Sequence, residues 1–177
     1  MPDEDLILPG YFGKLPTAGD FVTAGLAPGF VQRWDRWVAR HLAAHFELSH
    51  PPLRFLLGAE AFGPAAGVVL PSNDRIGRRF PLTLAAPVPE AITGMTIAAD
   101  DWFEALEEIG ELARSGEIDA SALAANLATL PFPLSATEGE PVWRMAFWTR
   151  SSDLIDVDPE APRAALDYLL SECREAG

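Results

Sequence analysis

Apolar positions between Pro28 and Phe46 recur every three to four residues, at Phe30, Val31, Trp34, Trp37, Val38, Leu42 and Phe46. That period predicts a helix from Pro28 to Phe46 with one aromatic face, and Pro28 near its start suits a first helical turn. Arg33, Arg36 and Arg40 fall off this face, toward solvent. A second helix is predicted from Asp100 or Asp101, with Asp101 and Glu104 as a capping box, Trp102, Phe103, Leu106, Ile109 and Leu112 as its buried stripe, and Gly116 as its stop. On its other side Glu104, Glu107, Glu108 and Glu111 read as a solvated face. Asp119 caps a third helix reaching about Leu130 with Leu123 and Leu127 inward. A last helix begins near Asp158 to Pro162 and carries Leu166, Leu169, Leu170 and Cys173 on one side.

Short apolar runs bounded by Pro and Gly predict strands at Arg54 to Gly58, Gly67 to Leu70 and Phe80 to Ala86. Val142 to Thr149 alternates, which sends Trp143, Met145 and Phe147 to one side and Arg144, Ala146 and Trp148 to the other. Tyr11 and Phe12 read as an edge strand leading into a long irregular loop. Asp153, Asp156 and Asp158 read as a turn and a helix cap, because the glycine and terminal glutamate of a calcium loop are missing.

The 177 residues suffice for one domain with an ordinary core. The net charge of −13 is uneven: residues 1–90 sum to −1 and residues 91–177 to −12. So acidic a field repels nucleic acid and anionic membranes, and it favours solubility or a basic protein partner. The start of the chain lacks the basic and apolar segments of a signal peptide, and no run reaches the roughly 18 apolar residues of a membrane span, so the expected location is the cytoplasm. A single cysteine, Cys173, excludes an internal disulfide and reads as a small core residue.

The candidate chemistry gathers in the polar loop between the two central strands, which holds Ser72, Asp74, Arg75, Arg78 and Arg79. Planar, multi-donor guanidinium groups recognise carboxylate or phosphate, whereas a solvated loop would simply pair them with nearby carboxylates. Both readings stand on the residues alone. Lys14 follows Gly10 and Gly13, but a phosphate-binding P-loop needs four residues between its glycines and a hydroxyl residue after the lysine, where Leu15 stands here. His41 and His45 have a zinc-compatible spacing that lacks a convincing third ligand in His50 or Glu47. Ser72 and Asp74 have no histidine in their loop, and no nucleophile elbow or dinucleotide fingerprint occurs. No catalytic residue, metal, cofactor or small-molecule ligand is expected, and the chain is not expected to be an enzyme.

Two stretches, GYFGKLPTAGDFV (10–22) and GVVLPSNDRIGRRFPLTLA (67–85), separated by a helix bearing FVQRWDRWV, resemble the TagF family, also called ImpM, of type VI secretion-associated proteins. The resemblance is close from about Gly10 to Pro87 and looser around Trp143 to Thr149. It implies a cytoplasmic accessory protein that restrains assembly or firing of the secretion machine after translation, in connection with a forkhead-associated scaffold protein. The family fold, a sheet between helical layers, agrees with the element order above. The expectation is therefore a single TagF-like domain over 1–177, with the motifs in about 10–87 and an acidic helical second half in 91–177, folded as a three-layer α/β/α sandwich with a mixed, largely antiparallel central sheet. The loops carrying Lys14 and Asp20, and Ser72, Asp74, Arg75, Arg78 and Arg79, are expected to meet and bind the partner. The competing expectation is an anion- or phospho-ligand-binding module, or a hydrolase, using the 72–79 loop.

Overall fold

The computed structural model describes residues 6–134 and 138–175, with side chains described to Ser171. Strands β1 (Gly10–Gly13), β2 (Val22–Ala24), β3 (Leu53–Leu57), β4 (Ala65–Leu70), β5 (Leu82–Ala86), β6 (Met145–Trp148) and β7 (Ile155–Val157) form one sheet in the order β2-β1-β5-β4-β3-β6-β7. Helices α1 (Pro28–His41), α2 (Met95–Ala98), α3 (Asp100–Arg114), α4 (Ala120–Leu127) and α5 (Arg163–Glu175) fill the connections and close the chain. Every neighbouring strand pair is antiparallel, so the sheet is not mixed as expected. The connections explain this: β1 to β2, β3 to β4, β4 to β5 and β6 to β7 are direct returns between neighbours, with none of the helical crossovers that parallel pairs need.

Alternation along the strands divides the core in two. Ala66, Val68 and Leu70 of β4, Leu82 and Leu84 of β5, and Ala146 and Trp148 of β6 pack with Trp102, Phe103 and Leu106 of α3 and Leu123 and Leu127 of α4. The alternate positions, among them Leu53, Phe55 and Leu57 of β3 and Met145 and Phe147 of β6, pack with Trp34, Trp37 and Val38 of α1 and Leu166, Leu169 and Leu170 of α5. Trp34 is fully buried with its indole N–H donated to Thr83 Oγ1 at 2.7 Å, and Trp37 donates to the Pro159 carbonyl at 2.9 Å. Both tryptophans are core, as their helical spacing implies.

Several local expectations change. β1 lies inside the sheet, and the edge is β2, a three-residue strand within the stretch expected to be an irregular loop. β7 occupies the segment read as a turn. The first helix stops at His41 and gives way to a short 3₁₀ turn, Ala43–His45. Asp101 forms no capping box, because α2 abuts α3 and Ala99 precedes the helix without a side-chain cap. Asp119 does cap α4, accepting from the Ala122 N–H at 2.9 Å. Trp143 is exposed, since the strand begins only at Met145. The Cys173 side chain lies outside the described residues.

The largest change concerns Glu107, which is buried rather than part of a solvated acidic face. Arg54 shares with Leu56 the side of β3 that faces α3. Its Nε donates to Glu107 Oε1 and its Nη1 donates to Asp100 Oδ1 at 2.6 Å. Burial pushes the Glu107 carboxyl up, and the hydrogen bond and charge of Arg54 hold that rise back. Glu104 pairs with Arg150, and Glu111 with Arg114 at 2.7 Å.

Candidate functional site

The sheet brings the two polar loops together. β1 and β4 are both antiparallel to β5, with Phe12 opposite Thr83 and Leu70 opposite Leu82, so both strands end where β5 begins. The loop leaving β1 and the loop entering β5 therefore emerge side by side. Gly13, at the exit of β1, has φ +145°, and a Cβ there would lie 2.2 Å from the Pro81 carbonyl oxygen, which explains glycine at this position of the first motif.

Donors of the second loop satisfy carbonyls of the first. Ser72 Oγ donates to the Lys14 carbonyl at 2.7 Å, and the Arg75 backbone N–H donates to Ala18 at 2.8 Å. The Arg75 guanidinium reaches the Thr17 carbonyl at 2.8 Å and that of Arg78 reaches Gly19 at 3.0 Å. Loop carbonyls that would otherwise depend on water are thereby held by protein, and the shape of 14–20 is fixed by 72–79.

Asp74 organises its own loop from a fully buried position. Its Oδ1 accepts from the N–H groups of Ile76 at 3.1 Å and Arg78 at 2.9 Å, as a turn-forming aspartate does. Its Oδ2 pairs with Arg78 Nε at 2.7 Å and lies 3.5 Å from Lys14 Nζ. Burial pushes this carboxyl up, but the backbone N–H, guanidinium and charge of Arg78 and the N–H of Ile76 outweigh it and bring it to about 2. Lys14 is the only lysine of the chain and is itself buried, with its ammonium 5.0 Å from the centre of the Phe21 ring.

The expected site residues thus separate into two groups. Lys14, Ser72, Asp74, Arg75 and Arg78 converge, but on one another, and their polar atoms hold the junction shut. Asp20 is exposed and accepts from the N–H of Phe21, and it holds none of the arginines. Arg79 is exposed and its guanidinium has no ion pair or hydrogen bond among the described residues. The same two loops also present Ile76, 72% exposed, and Phe21, 46% exposed. Phe21 stacks on Phe12 at 5.7 Å and stands edge-on to Phe80 at 4.9 Å, so a core-anchored aromatic cluster reaches the surface here. Phe21 was hidden in the sequence because it precedes an unrecognised edge strand.

Ser72 gives its hydroxyl hydrogen to the Lys14 carbonyl from a buried position. Neither metal-ligand set considered above, around His41 and His45 or around Asp153 to Asp158, converges among the described residues. His50 Nδ1 accepts from the Glu47 N–H at 2.9 Å instead. Asp100, Asp101 and Glu104 do come close together, but they are exposed or half-exposed, and Asp100 and Glu104 already pair with Arg54 and Arg150. No helix among the described residues is long and apolar enough to cross a membrane.

Residues 10–130 match the family model described as the TagF N-terminal domain, type VI secretion system-associated. The match runs past both motifs and into the acidic half, through α3 and α4. The chain is also similar to a solved structure described as the crystal structure of PA0076 from Pseudomonas aeruginosa PAO1, with a TM-score of 0.67 and 29% sequence identity over 83% of this chain and 86% of that one. No curated protein matches.

Proposed function

The chain belongs to the TagF family of type VI secretion-associated proteins, and from that premise we propose that it represses a type VI secretion system after translation by binding a protein partner, without catalysing a reaction. The partner is a forkhead-associated scaffold protein of the system and the setting is the cytoplasm. The two-part core, with α3 and α4 in one cluster and α1 and α5 in the other, supports a three-layer arrangement.

The observation that carries this reading is how the junction uses its polar groups. Ser72 and Asp74 are buried and the exposed guanidinium groups of Arg75 and Arg78 are tied to carbonyls of the first loop and to Asp74, while Phe21, Ile76 and Arg79 are exposed without such a tie. An exposed aromatic ring and a free arginine on preorganised backbone are residue types enriched at protein interfaces. The competing reading, an anion-binding module or hydrolase, would use the exposed donors that Arg75 and Arg78 do not spend on the first loop and on Asp74, together with Arg79.

The test compares wild type, Asp20→Ala and the triple variant Phe21→Ala, Ile76→Ala, Arg79→Ala for melting, binding to the purified scaffold protein and control of secretion. The triple variant is expected to melt somewhat below wild type, because Phe21→Ala gives up ring contacts with Phe12 and Phe80, to bind more than about tenfold more weakly and to release secretion. The double variant Ile76→Ala, Arg79→Ala is expected to weaken binding with melting unchanged. Asp20→Ala is expected to behave as wild type. A triple variant that binds and controls secretion normally refutes the assignment, and a rise in melting temperature with inorganic phosphate that requires Arg79 favours the competing reading.

A further inference from the structure

A second surface stands apart from the junction. A groove of about 750 Å³ lies against α1, lined by Arg33, Arg36, Trp37, Arg40 and His41 together with Glu60, Phe62 and Glu160. None of the junction residues lines it. Its three arginines are exposed, and none has an ion pair or hydrogen bond among the described residues. Most other arginines do: Arg54, Arg78, Arg114, Arg144, Arg150 and Arg163 each pair with a carboxylate. In a chain of net charge −13, three unpaired guanidinium groups on one helix face are a concentration of positive charge that the fold itself leaves without a partner.

We propose that this groove binds an acidic peptide segment of a partner protein, through the guanidinium groups of Arg33, Arg36 and Arg40 and against Trp37 and Phe62. Spacing suits a run of carboxylates. Arg33 and Arg40 stand seven positions apart on α1, or about 10 Å along its axis, so with Arg36 between them the three arginines form a row that several carboxylates can occupy at once. In an extended peptide every second side chain is about 7 Å further on, so alternating carboxylates can meet successive arginines. The chain's overall acidity disfavours a long polyanion such as nucleic acid, whose charge beyond the groove would be repelled, and leaves a short segment as the fitting ligand.

The walls are built to stay in place. Trp37 is fixed by its hydrogen bond to Pro159 and by stacking on Phe147 at 5.7 Å. Phe62 holds φ +68°, the one positive φ outside glycine among the described residues, and its ring stands edge-on to Trp34. Glu60 and Glu160 also line the groove but form no ion pair with the three arginines, so the lining keeps a positive balance. The field in the groove is already felt by His41: burial, then the charges of Arg40 and Arg163, lower its pKa.

The experiment measures fluorescence anisotropy of a fluorescein-labelled peptide of alternating Glu and Ser with the full chain. Wild type is expected to bind it, more weakly as salt rises. The triple variant Arg33→Ala, Arg36→Ala, Arg40→Ala should lose at least about tenfold in affinity at unchanged melting temperature, and Arg114→Ala, on α3 and outside the groove, should bind as wild type. In the complex, NMR titration of His41 should give a higher pKa, because the bound carboxylates offset the neighbouring arginines. Absence of binding by wild type, or equal binding by the triple variant, overturns the proposal. Binding of a singly phosphorylated peptide lacking acidic residues, without binding of the Glu peptide, overturns it in favour of a phosphate site. A concentration-dependent dimer lost in the triple variant, again without peptide binding, assigns the groove to a second copy of the chain and also overturns it.

Discussion

Replacing Arg54 by alanine tests the electrostatic tie between the sheet and α3. Arg54 is 2% exposed and Glu107 7%, so the pair is nearly dry, whereas the side chain of the second partner, Asp100, is 58% exposed and contributes little. Removing one member of a buried pair typically costs about 3 to 5 kcal/mol, because the other is left without compensation. In a chain of this size each kcal/mol shifts the melting midpoint by about 2 to 4 °C, so Arg54→Ala is expected to melt about 6 to 20 °C below wild type near neutral pH.

The same reasoning fixes a pH dependence. Burial already holds the folded Glu107 carboxyl above its ordinary value, and loss of Arg54 removes the hydrogen bond and charge that oppose it. Unfolded, the group ionises near its reference value of about 4.3. Between that value and the raised folded one, the native state binds the extra proton, so the variant loses stability as pH rises through this window. Its deficit against wild type should be smallest near pH 4 and largest near neutrality. Urea unfolding across that range is the assay, with Arg54→Met, Glu107→Leu as control. An apolar replacement of both partners should recover wild-type stability or exceed it, by up to about 4 kcal/mol. A deficit within about 1 kcal/mol at neutral pH, or a double variant as unstable as the single one, would refute the account.

Two further outcomes follow from buried groups. The Asp74 carboxyl should titrate near its folded value of about 2 in carboxyl NMR, and Arg78→Ala should raise it; because the folded value is depressed, the stabilisation is complete above its unfolded value of about 3.9 and fades as pH falls through the folded one, and an unchanged midpoint in the variant would contradict the geometry. Trp34→Ala removes a fully buried indole and strands Thr83 Oγ1, so urea unfolding should show a loss of about 3 to 5 kcal/mol, and a wild-type stability would mean that α1 does not depend on this contact.

The elements legible in the sequence were those with several buried residues at a regular spacing. α1 and α3 repeat their apolar positions over three or more turns, and β3, β4 and β5 are apolar runs buried on both faces. β2 and β7 are three-residue edge strands with few inward side chains, too short for a period to emerge. Glu107 was misplaced because its residue type matched its exposed neighbours, yet a signal existed. It lies one turn from Phe103 and beside Gly110, where a Cβ would sit 2.6 Å from Leu70 Cδ1, so it shares the face that closes on the sheet. Arg54, a lone charge inside the run LRFLL, needed a carboxylate opposite it, and α3 was the acidic element available. Within the junction, the meeting of the two loops was readable from their motifs. Which arginine stayed free was not, because Arg75, Arg78 and Arg79 differ only in the carbonyls and carboxylate that folding places beside them.

That difference bears on how motif residues should be interpreted. The Lys14 to Asp20 loop exposes backbone carbonyls at Lys14, Thr17, Ala18 and Gly19 that it does not satisfy itself, and the second loop supplies Ser72, Arg75 and Arg78 to them. Either motif alone would leave its partner groups open, which explains physically why the two stretches occur together. Substitution of Ser72, Asp74, Arg75 or Arg78 should therefore weaken partner binding by loosening the loop, with a change in local order or stability alongside. Substitution of Ile76 or Arg79 should weaken it with the junction intact, whereas Phe21→Ala also gives up ring contacts with Phe12 and Phe80. Loss of function at a motif residue is consequently not evidence of contact with the partner. The pairing of a binding deficit with an unchanged fold is the evidence, and of the junction residues only Ile76 and Arg79 are expected to give it.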